Sequence, residues 1–352
     1  MTRTRFLILW LTVLSVFVLI ASACRPDLNN APQPQTLGQL LSTGQNLTIL
    51  RAALTRAGID VSSLNGVTLF APTDAAFQAA GYADANAINT VPADTLKRLL
   101  QYHILTTQLP SSSIAVGVNT ALPTVAGPPV YITRTVMTTA TSGSATSTTA
   151  TSASATSSTV IAAGTYVNGA KIEQADNQAT NGLIHVINKL LVPPTGNLVQ
   201  TLGRLSAQGP NSFSLLTAAV ARVGATTQLT GTGQLFTIFA PTDAAFAKLT
   251  PAVRTVADVN TLQIDTLRSI LLNHVVLGRV FSSALINQSK LPTALSVAGS
   301  AGSVLLVNTG SGSLVLTTAG LFRGKPSSAT VIRSDVVATN GVVHVVDGVL
   351  VP

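Results

Sequence analysis

Charge is scarce in this chain: 9% of its 352 residues are charged, Glu173 is the sole glutamate and Cys24 the sole cysteine. A lone cysteine excludes an internal disulfide framework and the thiolate clusters of structural zinc sites. Aromatic residues make up 4% of the sequence and no basic run follows a phosphate backbone, so no nucleic-acid partner is expected. A Gly-rich phosphate loop, a dinucleotide fingerprint in a strand-to-helix context and a Ser-His-Asp spacing are also missing. The expectation is a non-enzymatic protein with no catalytic residue, no cofactor and no metal. What is abundant is apolar: 46% of residues, enough for well-packed cores, with disorder only local. The length gives a prior of two domains.

The N-terminus reads as an export signal over residues 1–23. Arg3 and Arg5 precede an unbroken apolar run from Phe6 to Ile20, shorter than the roughly 20 residues that span a bilayer. The run ends in Ala21-Ser22-Ala23-Cys24, which resembles the bacterial lipoprotein signal, in which the cysteine becomes the first residue and its sulfur carries lipid. Two or three acyl chains hold far better than one. Ordinary signal-peptidase cleavage after Ala23 and an uncleaved anchor are the alternatives, and Ala21 replaces the leucine usual at that position. Residues 24–36, with Pro26, Pro32 and Pro34, read as a tether. Without Arg3 and Arg5 the chain has 18 basic and 12 acidic side chains, a net of +6 that suits anionic surfaces or glycans.

The sequence repeats itself, and the repeat is its most informative feature. Thr68-Leu-Phe-Ala-Pro-Thr-Asp-Ala-Ala-Phe77 returns as Thr237-Ile-Phe-Ala-Pro-Thr-Asp-Ala-Ala-Phe246. Asp94-Thr-Leu-Lys-Arg-Leu-Leu-Gln-Tyr-His103 matches Asp265-Thr-Leu-Arg-Ser-Ile-Leu-Leu-Asn-His274, and Asn181-Gly-Leu-Ile-His-Val-Ile187 matches Asn340-Gly-Val-Val-His-Val-Val346. The offsets of 169, 171 and 159 positions give the first copy about 12 extra residues before its last motif. These coincide with a tract near 135–163 that is rich in Ser, Thr and Ala and has no charge. Such a segment buries little and is expected to be a mobile loop, with a glycosylated stalk as the sharper alternative.

Within each copy, Asn46 or Ser212 is positioned to cap a helix with apolar positions Leu47, Leu50 and Leu54, or Phe213, Leu216 and Val220, ending at Gly58 or Gly224. Short strands around Leu69-Phe70 and Ile238-Phe239 lead to Thr73 and Thr242, which suit the N-caps of further helices. Val304 to Val307 and Leu314 to Leu316 read as a hairpin. Each copy therefore mixes a small antiparallel sheet with helices.

Taken together, the three repeated phrases resemble the fasciclin domain, over about residues 37–194 and 197–352. The resemblance implies an α+β fold, a β-wedge of two small sheets flanked by helices, present twice in tandem. It also implies adhesion or extracellular interaction rather than catalysis. In animal fasciclin domains a Tyr-His motif and an Asp-Ile pair are implicated in integrin binding. The first carries over to Tyr102 and His103, with Asn273 and His274 at the matching positions. The second falls on Asp335 and Val336, and on Asp176-Asn177 in the first copy, where the apolar member is lost. No Arg-Gly-Asp sequence is present.

All four histidines sit at repeat-matched positions. His103 follows Leu96, Leu99 and Leu100 at helical spacing and His274 follows Leu267, Ile270 and Leu271, which places both on an apolar face. His185 and His344 alternate with apolar neighbours on the closing strand. A packed, hydrogen-bonded role suits both pairs, because a metal reading finds no supporting ligands. Tyr102 stacks above Thr95 and Arg98, away from the apolar stripe, and is expected to be open to a partner; ordinary surface and strand-edge roles are the alternative for the whole carried-over set. Asp74 and Asp243, beside Thr73 and Thr242 at a helix start, suit backbone N–H groups better than proton transfer.

The expected function is a lipid-anchored adhesion or interaction protein of the bacterial envelope, facing the periplasm or exterior. Its expected partners are surface or matrix proteins or glycans, with weak self-association. The alternative is an envelope binder of a lipid or other small ligand in an apolar cleft.

Overall fold

The computed structural model describes residues 33–139, 159–208, 211–231, 233–297, 304–309, 312–318 and 326–352. The signal, Cys24 and most of the tether lie outside these residues, as does the middle of the Ser/Thr/Ala tract.

Each repeat packs helices on a bent, seven-stranded sheet, an α+β arrangement. In the first repeat the strands are β1 (Val67–Pro72), β2 (Ile104–Leu105), β3 (Gly117–Leu122), β4 (Val130–Thr139), β5 (Thr159–Val167), β6 (Ala170–Ala179) and β7 (Gly182–Ile187), in the order β2-β1-β7-β6-β5-β4-β3. The second has β8 (Phe236–Pro241), β9 (Val275–Leu277), β10 (Lys290–Pro292), β11 (Val304–Asn308), β12 (Val315–Thr318), β13 (Ser328–Ala338) and β14 (Gly341–Val346), in the order β10-β11-β12-β13-β14-β8-β9. Long β6 pairs with β7 on one side and β5 on the other, and register shifts along it bend the sheet into the two small halves of a wedge. β13 does the same in the second repeat.

The sheet is antiparallel except where the first motif meets the last. β1 lies parallel to β7 and β8 parallel to β14, because the opening and closing strands of each repeat are neighbours joined through the whole domain. Gly182 and Gly341 permit this approach: a Cβ there would sit 2.5 Å from the Val67 carbonyl oxygen and 2.1 Å from that of Phe236. Asn181 accepts from the Leu37 N–H and donates to the Val61, Ser62 and Leu64 carbonyls; Asn340 accepts from the Leu198 N–H and donates to those of Leu229 and Gly231. The Asn-Gly phrase thus sews the incoming helix and the crossing segment to the sheet.

β1 is buried along its whole length, so alternate side chains serve two cores. Leu69 joins Leu50, Leu54, Phe77, Leu96 and Leu100 on the helical side, while Phe70 joins Tyr102, Leu105, Val130, Ile132 and Val167 inside the wedge. Ile238 and Phe239 divide in the same way. Truncating either phenylalanine to alanine is worth about 3–5 kcal/mol.

Helices Thr48–Ala57 and Ser214–Val223 end on Gly58 (φ 64°) and Gly224 (φ 74°), whose left-handed conformation frees the last carbonyls for a terminal turn. Their starts differ from the sequence expectation. The cap positions are Leu47 and Phe213, with no side-chain cap of their own. Asp74 supplies it from the next helix, accepting from the Ile49 N–H at 2.8 Å and the Thr48 hydroxyl at 2.7 Å. Asp243 does the same for Leu215 (2.9 Å) and Ser214 (2.6 Å). A carboxylate at a helix N-terminus gains from both the unpaired N–H groups and the dipole. Thr73 and Thr242 cap their own helices through the Ala76 and Ala245 N–H groups.

The expected loop near 135–163 is partly strand. β4 continues to Thr139 and β5 begins at Thr159, paired with each other across the tract. The β-branched residues of these arms favour a pleated ribbon over coil.

Candidate functional site

The four histidines spend both ring nitrogens on backbone. His103 Nδ1 donates to the Leu99 carbonyl (2.9 Å) and Nε2 accepts from the Leu191 N–H (3.0 Å). His274 repeats this with Ile270 (2.8 Å) and Leu350 (2.9 Å). An amide donor at Nε2 fixes the neutral Nδ1–H tautomer. Burial pushes both rings down to about 4, with the accepting carbonyl opposing. His185 and His344 use the other tautomer: Nε2 donates to Leu109 and Val280, and Nδ1 accepts from the Asp176 and Asp335 N–H groups. Their rings stack on Phe70 and Phe239, with centroids 5.8 and 5.3 Å apart. These rings lock the domain ends together and offer no free nitrogen to a substrate.

Tyr102, expected from the sequence to be open to a partner, faces the interior. It is fully buried, with its hydroxyl donating to the Pro129 carbonyl (3.0 Å) and accepting from Asn168 Nδ2 (3.0 Å). The helix end is sandwiched between the helical core and the wedge core, so the side opposite the apolar stripe is covered as well. Burial pushes the phenol well above its ordinary range. Asn273, equally buried, donates to the Leu350 carbonyl. The expected partner-facing set Tyr102, His103, Asn273 and His274 is therefore internal in both repeats.

Asp176 and Asp335 occupy left-handed bulge positions (φ 59° and 64°) and each takes the N–H and hydroxyl of a matching serine, Ser111 or Ser282. Their surroundings differ. Asp176 is exposed, whereas the Asp335 side chain is buried and ion-paired with Lys189 of the first repeat at 2.8 Å. Burial pushes Asp335 up, but Lys189 and Ser282 outweigh it and hold the carboxyl below the usual range.

Lys189 belongs to an interdomain contact that no sequence pattern marked. Arg279 is buried, with its guanidinium 4.3 Å from the Tyr131 ring centroid and donating to the Ala338 and Thr339 carbonyls. Tyr131 also packs on Phe281, and Asn119 donates to the Arg279 carbonyl. The Asn168-Gly169 turn between β5 and β6 abuts Asp335, where a Cβ on Gly169 would fall 2.4 Å from the carboxyl carbon. That turn was legible: Asn-Gly between apolar residues signals a two-residue hairpin.

Beside this contact opens a cleft of about 530 Å³, walled by residues from both repeats, with Val336 and Asp335 on its lining. Arg98, Arg204 and Arg333 line it, and none has a carboxylate partner among the described residues. The one acid of the lining is Asp335, already taken by Lys189. Burial, and then the like charge of Arg333, push Arg204 below its usual range. Three uncompensated guanidinium groups at one opening make it a receptor for negative charge.

A wedge repeated twice, closed by paired Asn-Gly-x-x-His strands, defines a tandem fasciclin-type architecture. The fasciclin domain family model matches residues 45–193 and 211–352, and the chain belongs to that family. It is 34% identical over 192 residues to the transforming growth factor-beta-induced protein ig-h3 of Sus scrofa, a match covering 53% of this chain and 24% of that protein. The chain thus spans about a quarter of the length of the first curated relatives it matches. It is 27% identical over 323 residues to the fasciclin-like arabinogalactan protein elcF of Phaeosphaeria nodorum, covering 90% of this chain and 88% of that one. The solved FAS1 domain pair of the insect cell adhesion molecule Fasciclin I aligns at 22% identity and a TM-score of 0.36, covering 89% of this chain and 94% of that one. Fasciclin domains are linked with cell adhesion and extracellular interaction. No helix among the described residues is long and apolar enough to cross a membrane.

Proposed function

We propose that this chain is a non-enzymatic adhesion or interaction protein, tethered to an envelope membrane through lipid on Cys24, that grips an anionic surface polymer or protein in the cleft between its two domains. The observation that carries this reading is the convergence of Arg98, Arg204 and Arg333 on one interdomain opening without acidic partners among the described residues. Family membership supports the adhesive role, and histidines occupied by backbone argue against acid–base work. The tether keeps many copies on one surface, so modest single contacts gain by avidity.

The test is attachment of cells or protein-coated beads to acidic glycans and matrix proteins, using the Arg204→Glu/Arg333→Glu variant. Loss of attachment with unchanged thermal unfolding is the expected result, together with strong salt sensitivity of the native protein. Undiminished attachment by the variant contradicts the cleft. Membrane fractionation and intact mass of a Cys24→Ala variant test the anchor separately: loss of a lipid-sized mass and of membrane retention is expected.

A further inference from the structure

The second domain contains an apolar cavity of about 380 Å³ within its helical core. Leu202, Leu216, Val220, Leu229, Ile238 and Leu271 supply walls from three helices, the crossing segment and β8. Among the described lining residues, Gln228, Arg268 and His274 are the polar ones. His274 has both nitrogens occupied and presents its ring. Arg268 stands at the rim, half-exposed, with only a long 3.5 Å contact to the exposed Asp265. A surface pair of that kind is worth little and leaves the guanidinium free to take another anion.

The segment crossing from the helix to the sheet shows why one wall is thin. In the first domain it follows Gly58 and sends Ile59, Val61 and Leu64 against the helical core. Ala225 follows Gly224 in the same hydrogen-bonded position that Ile59 holds, each N–H donating to the carbonyl five residues back. Leu64 and Gly231 correspond too, since both give their carbonyls to the closing-motif asparagine. Ala225, on the cavity lining, thus stands where the first domain has isoleucine, and Leu229 is the one large buried side chain among the described residues of the segment. Unfilled apolar space of this kind costs stability unless something occupies it.

We propose that this cavity is a binding site for the single acyl chain of a long-chain fatty acid, with Arg268 holding the carboxylate at the rim. The walls match a hydrocarbon chain, the volume lies in the range of small-molecule sites, and the one uncommitted charge has the sign that a carboxylate needs. The site lies in the helical core of the second domain, outside the interdomain cleft, and stands or falls independently of it.

The experiment uses the full chain carrying Cys24→Ala, so that any bound acyl group is not its own anchor. After delipidation it is titrated with cis-parinaric acid, which is then displaced by palmitate and by cetyl alcohol. Saturable one-to-one binding is expected, with palmitate preferred over the alcohol. Ala225→Ile, which restores the side chain of the first domain at the cavity wall, should weaken binding at least about tenfold while raising the unfolding midpoint. Arg268→Gln, at an exposed position that leaves the core intact, should abolish the preference for the acid and spare the alcohol. Lys97→Gln at the matching position of the first domain should change nothing. Absence of saturable binding, binding undiminished in the filled variant, or a preference for the acid that survives Arg268→Gln would each overturn the proposal. Unchanged binding by Arg204→Glu/Arg333→Glu is expected and keeps this result separate from any failure of the cleft.

Discussion

The same bulge faces water in the first domain and protein in the second. Asp176 and Asp335 share a backbone conformation and a serine partner, yet only Asp335 is buried, under Lys189 and the Asn168-Gly169 turn. Gln108 and Arg279 stand at matching positions; the first is exposed and the second is covered by Tyr131. The docking is therefore head-to-tail: one face of the second domain receives the first, and the matching face of the first stays open. Gly348 stands where Lys189 would be needed to repeat the ion pair. Identical folds were given different tasks by a handful of side chains outside the repeated motifs.

The largest expected effect follows from that difference. Asp335→Ala should cost about 3 kcal/mol in chemical denaturation, because it removes a buried carboxylate that serves an ammonium, an N–H and a hydroxyl. Asp176→Ala should cost about 1 kcal/mol, since its serine contacts are open to water. Equal losses at the two sites would break the comparison.

Acid should destabilise both domains through their buried histidines. His103 and His274 titrate near 4 when folded, against about 6.5 when unfolded. Their neutral form stabilises the fold fully above the unfolded value, and that contribution is lost as pH falls from about 6.5 towards 4. At pH 5 the loss is about 2 kcal/mol per ring. His344 is depressed in the same direction, by burial first, and its neutral form adds to this loss on acidification. Urea midpoints at pH 7.5 and pH 5 check this, and flat midpoints would count against neutral buried rings.

Smaller again is the helix cap. Asp74→Ala and Asp243→Ala should each cost about 1–2 kcal/mol through loss of a charged cap on the preceding helix. Burial pushes Asp243 up, but the Ser214 and Leu215 donors outweigh it and hold the carboxyl low. Its contribution is therefore present above the unfolded carboxylate range and disappears only below it, in a window more acid than that of the histidines. Differential scanning calorimetry of the two variants separates the domains and tests whether the cap is equivalent in both.

The sequence carried the repeat, the mix of sheet and helices and the glycine stops, because periodicity and backbone need are local properties; the wedge came from the family resemblance. Tyr102 escaped a helical-wheel reading, which sees one apolar stripe and cannot register a helix end covered on both sides. That Asp74 takes backbone N–H groups was legible, but the helix it serves was not, because its beneficiary, Ile49, is 25 residues upstream. Lys189, Arg279 and Tyr131 follow no period, since contacts between domains leave no repeat. The cavity, by contrast, was legible in principle by aligning Ile59 with Ala225 beyond the matching glycines, a comparison that needs the two copies rather than either alone.

The docking of the two domains as one body is tested most directly by a distance. Spin labels on cysteines placed at exposed Ser42 and Thr261, in the Cys24→Ala background, report on it by double electron–electron resonance. A single narrow distribution that broadens with Gly169→Ala or Asp335→Ala is the expected result. A distribution already broad in the otherwise unaltered chain, and indifferent to both substitutions, would contradict it.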